Sequence, residues 1–211
     1  MKYELRFLDI NETTIKEALD LLDNNVVKHK VLLRWDSFDY NGKFIRLRDE
    51  GNGDITLTLK TNLTGQQPIS KTIYVDNYFL TLDILKGIDI NSKYRVEKIR
   101  ETWELSNKCI INFDMFPGLP YYIEIKSNNK KTMLQLVKKL GLTIDTRKHS
   151  DMGADTLYYE LYGISKDRGT LGDLTFKDAR QIFIEHITKN KPLFEKLVKE
   201  QLKTIQLISN D

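Results

Sequence analysis

At 211 residues, with 40% hydrophobic and 30% charged side chains, the chain has the make-up of one large soluble domain, or of one domain with an appendage. Its net charge of +3, from 33 Lys and Arg against 30 Asp and Glu, does not demand a nucleic-acid partner. No apolar run approaches the ~18 residues of a membrane span, and the opening MKYELRFLDI is not a signal peptide, so a cytoplasmic protein is expected.

In chain order, Lys2–Leu8 reads as a strand with Lys2, Glu4 and Arg6 on one face and Tyr3, Leu5 and Phe7 on the other. Asn11–Leu22 reads as a helix, with Thr14-Ile15-Lys16-Glu17 fitting a capping box. Val27–Asp39 is one strand or two, and Asn41-Gly42 is a hairpin turn. Phe44–Lys60 is then a β-hairpin about the turn Asp49–Asp54. It sets Phe44, Arg46, Arg48, Thr56, Thr58 and Lys60 on one face, and Ile45, Leu47, Ile55, Leu57 and Leu59 on the other. A loop with Gly65 and Pro68 leads to a short strand near Lys71–Val75 and a short helix at Tyr78–Leu85.

Three strands follow. Tyr94–Leu105 carries Lys98 and Arg100, Cys109–Phe113 leads to Asp114, and Tyr121–Lys126 carries Glu124 and Lys126. Pro117–Pro120 is the turn between the last two. The single cysteine, Cys109, lies in an apolar strand pattern and reads as a buried, inert thiol. Asn129–Leu140 is a helix ended by Gly141, and Thr146–His149 is a basic turn. Tyr158–Tyr162 has no clear class. Two helices end the chain. Thr175–Asp178 caps the first, and Pro192 stands in the first turn of the second. The second helix sets Phe194, Leu197, Val198, Leu202 and Ile205 against a lysine face of Lys196, Lys199 and Lys203.

Histidines 29, 149 and 186 show no metal spacing, and GxGxxG, GxxxxGK[ST] and GxSxG are all absent. What recurs is the charged strand face. If the sheet curls into a barrel with helices packed outside, the apolar faces meet the helices and the charged faces line a tunnel. Cations gathered there repel one another strongly and call for a polyanion. Arg forks suit phosphate oxygens, and carboxylates on neighbouring strands suit Mg²⁺ or Mn²⁺ bridging them.

The ordered set Glu4-Leu5-Arg6, Arg46-Leu47-Arg48, Lys60, Lys98-Ile99-Arg100, Asp114 and Glu124-Ile125-Lys126 resembles the CYTH superfamily, the triphosphate tunnel metalloenzymes. That superfamily includes class IV adenylyl cyclases, thiamine triphosphatases and inorganic triphosphatases. Its pattern is an ExExK strand, RxR, a strand ending in Lys, KxR, an Asp, then ExE. The resemblance covers roughly residues 1–163. It implies an α+β fold, an antiparallel β-barrel (the triphosphate tunnel) with helices outside. The expected division is a tunnel-barrel domain over 1–163 and a C-terminal helical extension over 164–211. That extension is expected to pack on the barrel or to make a homodimer.

By the same resemblance, Arg6, Arg46, Arg48, Lys60, Lys98 and Arg100 are the triphosphate-binding set. Glu4, Asp114 and Glu124 are the metal ligands, and Glu4 and Glu124 the catalytic carboxylates. The departures fall on the metal side. Lys2 and Lys126 stand where the family carries Glu, and the Ile69–Val75 strand lacks a Glu. With both lysines inside, eight cations would face three carboxylates. At that surplus a triphosphate can be held by side chains alone, so at most one Mg²⁺ or Mn²⁺ is expected, dispensable for binding. The expected ligand is ATP, thiamine triphosphate or tripolyphosphate. The expected activity is a metal-dependent triphosphate hydrolase or an adenylyl cyclase. The alternative is a catalytically degraded protein that binds without turnover. Nucleic-acid binding through the basic C-terminal helix ranks last.

Overall fold

Alternating strands separated by short turns fold here into one sheet. The computed structural model describes residues 2–61, 69–144, 152–165 and 172–208. The strands are β1 (Tyr3–Phe7), β2 (Val27–Tyr40), β3 (Lys43–Asp49), β4 (Ile55–Thr61), β5 (Ile69–Tyr74), β6 (Ser92–Glu104), β7 (Ile110–Met115) and β8 (Tyr122–Ser127). They pair antiparallel in the order β1-β8-β7-β6-β2-β3-β4-β5. Asn41 and Gly42 both take positive φ, 52° and 70°, as the tight β2–β3 turn requires. β2 is a single 14-residue strand, long enough to pair with β3 on one side and β6 on the other.

The helices are α1 (Glu12–Leu22), α2 (Tyr78–Gly87), α3 (Lys130–Lys139), α4 (Ala154–Tyr162), α5 (Ala179–Phe183) and α6 (Lys191–Ile208). Asn11, Asn77 and Asn129 cap the first three, each accepting from the backbone N–H three residues on. The cap of α1 is thus Asn11 rather than the Thr14 expected, because the asparagine starts the helix a turn earlier. Ile15 and Leu19 of α1, with Met133, Leu136 and Val137 of α3, bury the outer apolar face of the sheet at Ile111, Phe113, Ile123 and Ile125. α2 covers Leu47 and Phe38.

The segment left unclassified in sequence is α4, built around two buried tyrosines. Tyr158 Oη donates to the carbonyl of Pro117 at 2.6 Å and Tyr162 Oη to that of Gly118 at 2.5 Å. α6 reads the same turn through Gln201. Its Oε1 accepts from Gly118 N at 2.7 Å, and its Nε2 donates to the carbonyls of Leu119 at 2.7 Å and Phe116 at 3.2 Å. The buried face of α6 therefore holds Gln201, while Leu202, expected on it, is 39% exposed. Gly118 has φ 74°, and a Cβ there would lie 2.2 Å from a ring carbon of Phe194. Gly118→Ala is expected to destabilise the fold by about 2–4 kcal/mol, combining overpacking with a left-handed non-glycine residue. A shift of the urea midpoint worth under ~1 kcal/mol would show that α6 yields at this contact.

Leu8, Val96, Phe116 and Tyr122 alternate in register with the inward charged side chains, yet they are buried with Leu157, Tyr158, Phe183 and Phe194 of α4–α6. The inner face thus carries its charge on β1, β3, β4 and β6–β8 and is apolar at this end, while β2 sets Val31 and Leu33 opposite Arg100 and Lys98. Among the described residues, no helix is long and apolar enough to cross a membrane. The expected Thr146–His149 turn, the loop around Gly65 and Pro68, and most of the Gly163–Gly172 segment lie outside the described residues.

Candidate functional site

Register decides which side chains meet. β3–β4 pairing sets Arg46 opposite Thr58, Arg48 opposite Thr56 and Phe44 opposite Lys60, so the three cations share one face. β1–β8 pairing sets Glu4 opposite Lys126 and Arg6 opposite Glu124, and β6–β7 pairing sets Arg100 opposite Asp114. Laid flat, β1 and β4 would stand about 29 Å apart at ~4.8 Å per strand. Instead Glu4 on β1 is near enough to raise the proton affinity of Lys60 on β4. The sheet therefore curls and brings the charged faces together inside. β1 and β5 do not pair among the described residues, so the barrel is curled rather than closed by hydrogen bonds.

The inside has two unlike walls. On the wall of β1, β6, β7 and β8, carboxylates and cations form one continuous network. Asp114 is fully buried. Its Oδ1 accepts from Arg100 Nε at 2.6 Å, and its Oδ2 accepts from Arg100 Nη2 at 2.6 Å and Lys98 Nζ at 2.8 Å. Glu124 Oε1 accepts from Arg6 Nε at 2.7 Å, and its Oε2 meets Lys126 Nζ at 3.1 Å and Arg100 Nη2 at 3.2 Å. Glu4 Oε1 lies 3.2 Å from Arg6 Nη2, and its Oε2 lies 3.4 Å from Lys126 Nζ. Burial alone would raise the pKa of Asp114, but Lys98 and Arg100 overrule it and hold the carboxyl well below the usual range. Burial and Asp114 would raise that of Glu124, but Lys98, Lys126 and Arg6 bring it down. Burial pushes Lys98 down to about 8, more than Asp114 restores.

The β3–β4 wall is different. Arg46 forms no ion pair among the described residues, and its buried Nε has no acceptor. Burial, then the charge of Arg48, lowers its pKa to about 10. Lys60 is lowered too, by burial and then by Arg46 and Arg48. Arg48 has one partner that alternation assigned to the turn, Glu50. The Oε1 of Glu50 accepts from Arg48 Nε at 2.7 Å and from Thr56 Oγ1 at 2.8 Å. The signal was present, since Glu50 continues the series 44, 46, 48. Between the walls lies a cavity of about 330 Å³ lined by Arg48, Glu50, Thr56, Arg100, Thr102 and His29, among others.

The expected set is thus brought together, with one exclusion. Lys2 is exposed, and its Nζ lies over the Tyr3 ring, 5.5 Å from the centroid, so it adds no charge inside. Lys126 does point inward. With Lys2 out and Glu50 in, seven cations (Arg6, Arg46, Arg48, Lys60, Lys98, Arg100, Lys126) face four carboxylates (Glu4, Glu50, Asp114, Glu124). Of the aromatic segment Trp35–Tyr40, Phe38 packs on the outer face beneath α2, Tyr40 is exposed, and Trp35 stands half-buried on the inner face opposite Arg48 and Val96. Trp35 meets Phe116 edge-on at 6.1 Å, and Phe38 is buried.

The model of the CYTH domain family matches residues 2–154, with the inward charged strands inside the matched span. The chain belongs to the CYTH family. Solved structures share its fold. The PH1012 protein from Pyrococcus horikoshii OT3 is 17% identical with a TM-score of 0.55, over 72% of this chain and 99% of that one. A candidate adenylate cyclase from Vibrio parahaemolyticus is 13% identical with a TM-score of 0.55, over 71% of this chain and 95% of that one. A conserved hypothetical protein from Pyrococcus furiosus is 14% identical with a TM-score of 0.53, over 72% and 100%. No curated protein sequence matches the chain.

CYTH triphosphate tunnel enzymes depend on metal, and here the residues present do not fit an ion. Among the described residues no three His, Cys, Asp or Glu side chains group so as to hold one. Both oxygens of Glu4, Asp114 and Glu124 already face Arg or Lys nitrogens at 2.6–3.4 Å. Mg²⁺ requires oxygen ligands near 2.0–2.1 Å in octahedral array, which this packing of cations denies it.

Proposed function

We propose that this CYTH protein binds a triphosphate-containing small molecule, such as ATP, thiamine triphosphate or tripolyphosphate, between the two walls of its curled sheet. The observation that carries this reading is Arg46, a half-buried side chain with a buried Nε that has no acceptor. A buried N–H without a partner costs roughly 1–3 kcal/mol, more on a charged group, and an arriving phosphate oxygen removes that cost. Arg46, Arg48 and Lys60 are the first phosphate ligands. Arg6, Lys98 and Arg100 join them by sharing the charge that they now give to Glu124 and Asp114. Such an arrangement stabilises anionic oxygens wherever they stand on the ligand.

A second reading is turnover, as a triphosphate hydrolase or an adenylyl cyclase. It is favoured by Glu4, the most exposed of the three family-pattern carboxylates at 31% and the best placed to orient a water. Titration calorimetry with the three triphosphates, with Mn²⁺ and in EDTA, tests the first reading. Binding of at least one is expected at pH 7 and weaker binding at pH ~9.5. A lowered ammonium pKa means that Lys60 sheds its positive charge earlier as pH rises, so affinity falls with rising pH. No heat with any ligand in either condition would overturn it. Phosphate or cyclic nucleotide release in the same samples would establish turnover.

A further inference from the structure

We infer that the ammonium of Lys126 takes the place of a divalent cation between Glu4 and Glu124, so that these two carboxylates are neutralised by the chain itself. The inference rests on the triphosphate reading above only for its ligand arm. Lys126 sits directly opposite Glu4 in the β1–β8 ladder. Its Nζ lies 3.4 Å from Glu4 Oε2 and 3.1 Å from Glu124 Oε2, bridging carboxylates on two strands as an ion would. The remaining oxygen of each carboxylate is taken by one guanidinium, that of Arg6. Arg100 adds a further cation at 3.2 Å from Glu124 Oε2. A divalent ion entering here would meet three fixed positive charges and would have to strip four oxygens of their partners.

An ammonium differs from Mg²⁺ or Mn²⁺ in ways that matter. It carries one charge, cannot leave with product, and offers three donors but no open coordination position for a phosphate oxygen or a water. The site then holds its anion by hydrogen bonds and charge alone, in the presence or absence of metal.

The test uses Mn²⁺ alone, followed by the loss of the free-ion signal in electron paramagnetic resonance, on the full chain and on Lys126→Glu and Lys126→Gln. The wild-type protein is expected to leave the Mn²⁺ signal unchanged. Lys126→Glu, which completes the Glu-x-Glu strand, is expected to bind Mn²⁺. Lys126→Gln removes the cation without adding a carboxylate. It is expected to bind Mn²⁺ more weakly, and it decides the matter if Lys126→Glu fails to fold by circular dichroism. In a second arm, the wild-type affinity for tripolyphosphate should change less than about threefold between Mn²⁺ and EDTA, and that of Lys126→Glu by at least about tenfold. Mn²⁺ binding by the wild type, or none by either folded variant, would overturn the inference. So would a wild-type affinity that collapses in EDTA. If tripolyphosphate binds no form in either condition, the triphosphate reading fails, while the metal-only arm still decides the role of Lys126.

Discussion

Arg46→Ala is expected to weaken tripolyphosphate binding by at least about a hundredfold, the loss of two charge-assisted hydrogen bonds at roughly 1.5–3 kcal/mol each. The same change should leave the unliganded protein as stable as before, or slightly more stable. The reason is the environment of the side chain. Its Nε is buried without an acceptor, and burial beside Arg48 has already lowered its pKa to about 10. Removing it deletes an unfavourable charge from the empty site and the principal anchor from the filled one. Arg46→Lys keeps the charge but loses the planar fork, and should fall between the two. Calorimetry for affinity and thermal melting for stability separate the effects. An affinity within about threefold of wild type would remove Arg46 from the site and undo the argument from its missing acceptor.

Asp114→Asn should do the opposite, with its main effect on stability. The fully buried carboxylate neutralises Lys98 and Arg100 together. Without it the buried Lys98 and the partly buried Arg100 lose their nearest counter-charge, and breaking such a buried pair typically costs about 3–5 kcal/mol. The pH dependence should carry the same signature. The folded pKa of Asp114 lies below its unfolded value, so its stabilisation is fully present above the unfolded pKa of about 3.9 and is lost as pH falls below it. Urea titrations between pH 7 and pH 2 should show a steeper acid loss for wild type than for Asp114→Asn. Equal stabilities at pH 7 would mean that Lys98 and Arg100 are neutralised by other groups.

Much of this was legible because strand alternation is a strict rule. Arg46, Arg48 and Lys60 fall on one face of the hairpin whatever else the chain does, and Asn41-Gly42 announces its own turn. Alternation assigns a face and says nothing of partners. Which carboxylate meets which cation depends on register between strands that are distant in sequence, such as Glu4 against Lys126, and on side-chain reach. Lys2 shows the limit, since it has the parity of Glu4 and Arg6 yet lies over Tyr3 at the strand end. α4 escaped because its buried face mixes Ala154, Thr156 and Leu157 with Tyr158 and Tyr162, two tyrosines with hydroxyls that need carbonyl partners, so it lacks a plain apolar stripe. Gln201 escaped for the same reason, a polar residue buried to satisfy a turn more than 80 positions away in the chain.

The apolar end of the inner face gives the site a direction. Phe116 and Tyr122 stack at 6.2 Å just beyond the Lys98–Asp114 pair, with Lys98 Nζ 5.6 Å from the Phe116 ring centroid, and α4 and α5 back them. An anion cannot thread past such a stopper, so on the binding reading a ligand goes in and comes out by one mouth. On that reading its terminal phosphate would lead, and whatever is attached to the other end would stay in solvent beside the Glu50–Asp54 turn, which lines the cavity. Selection would then fall on the length of the phosphate chain first and on the appended group second. A nucleoside, a thiamine or nothing at all could ride at the same entrance.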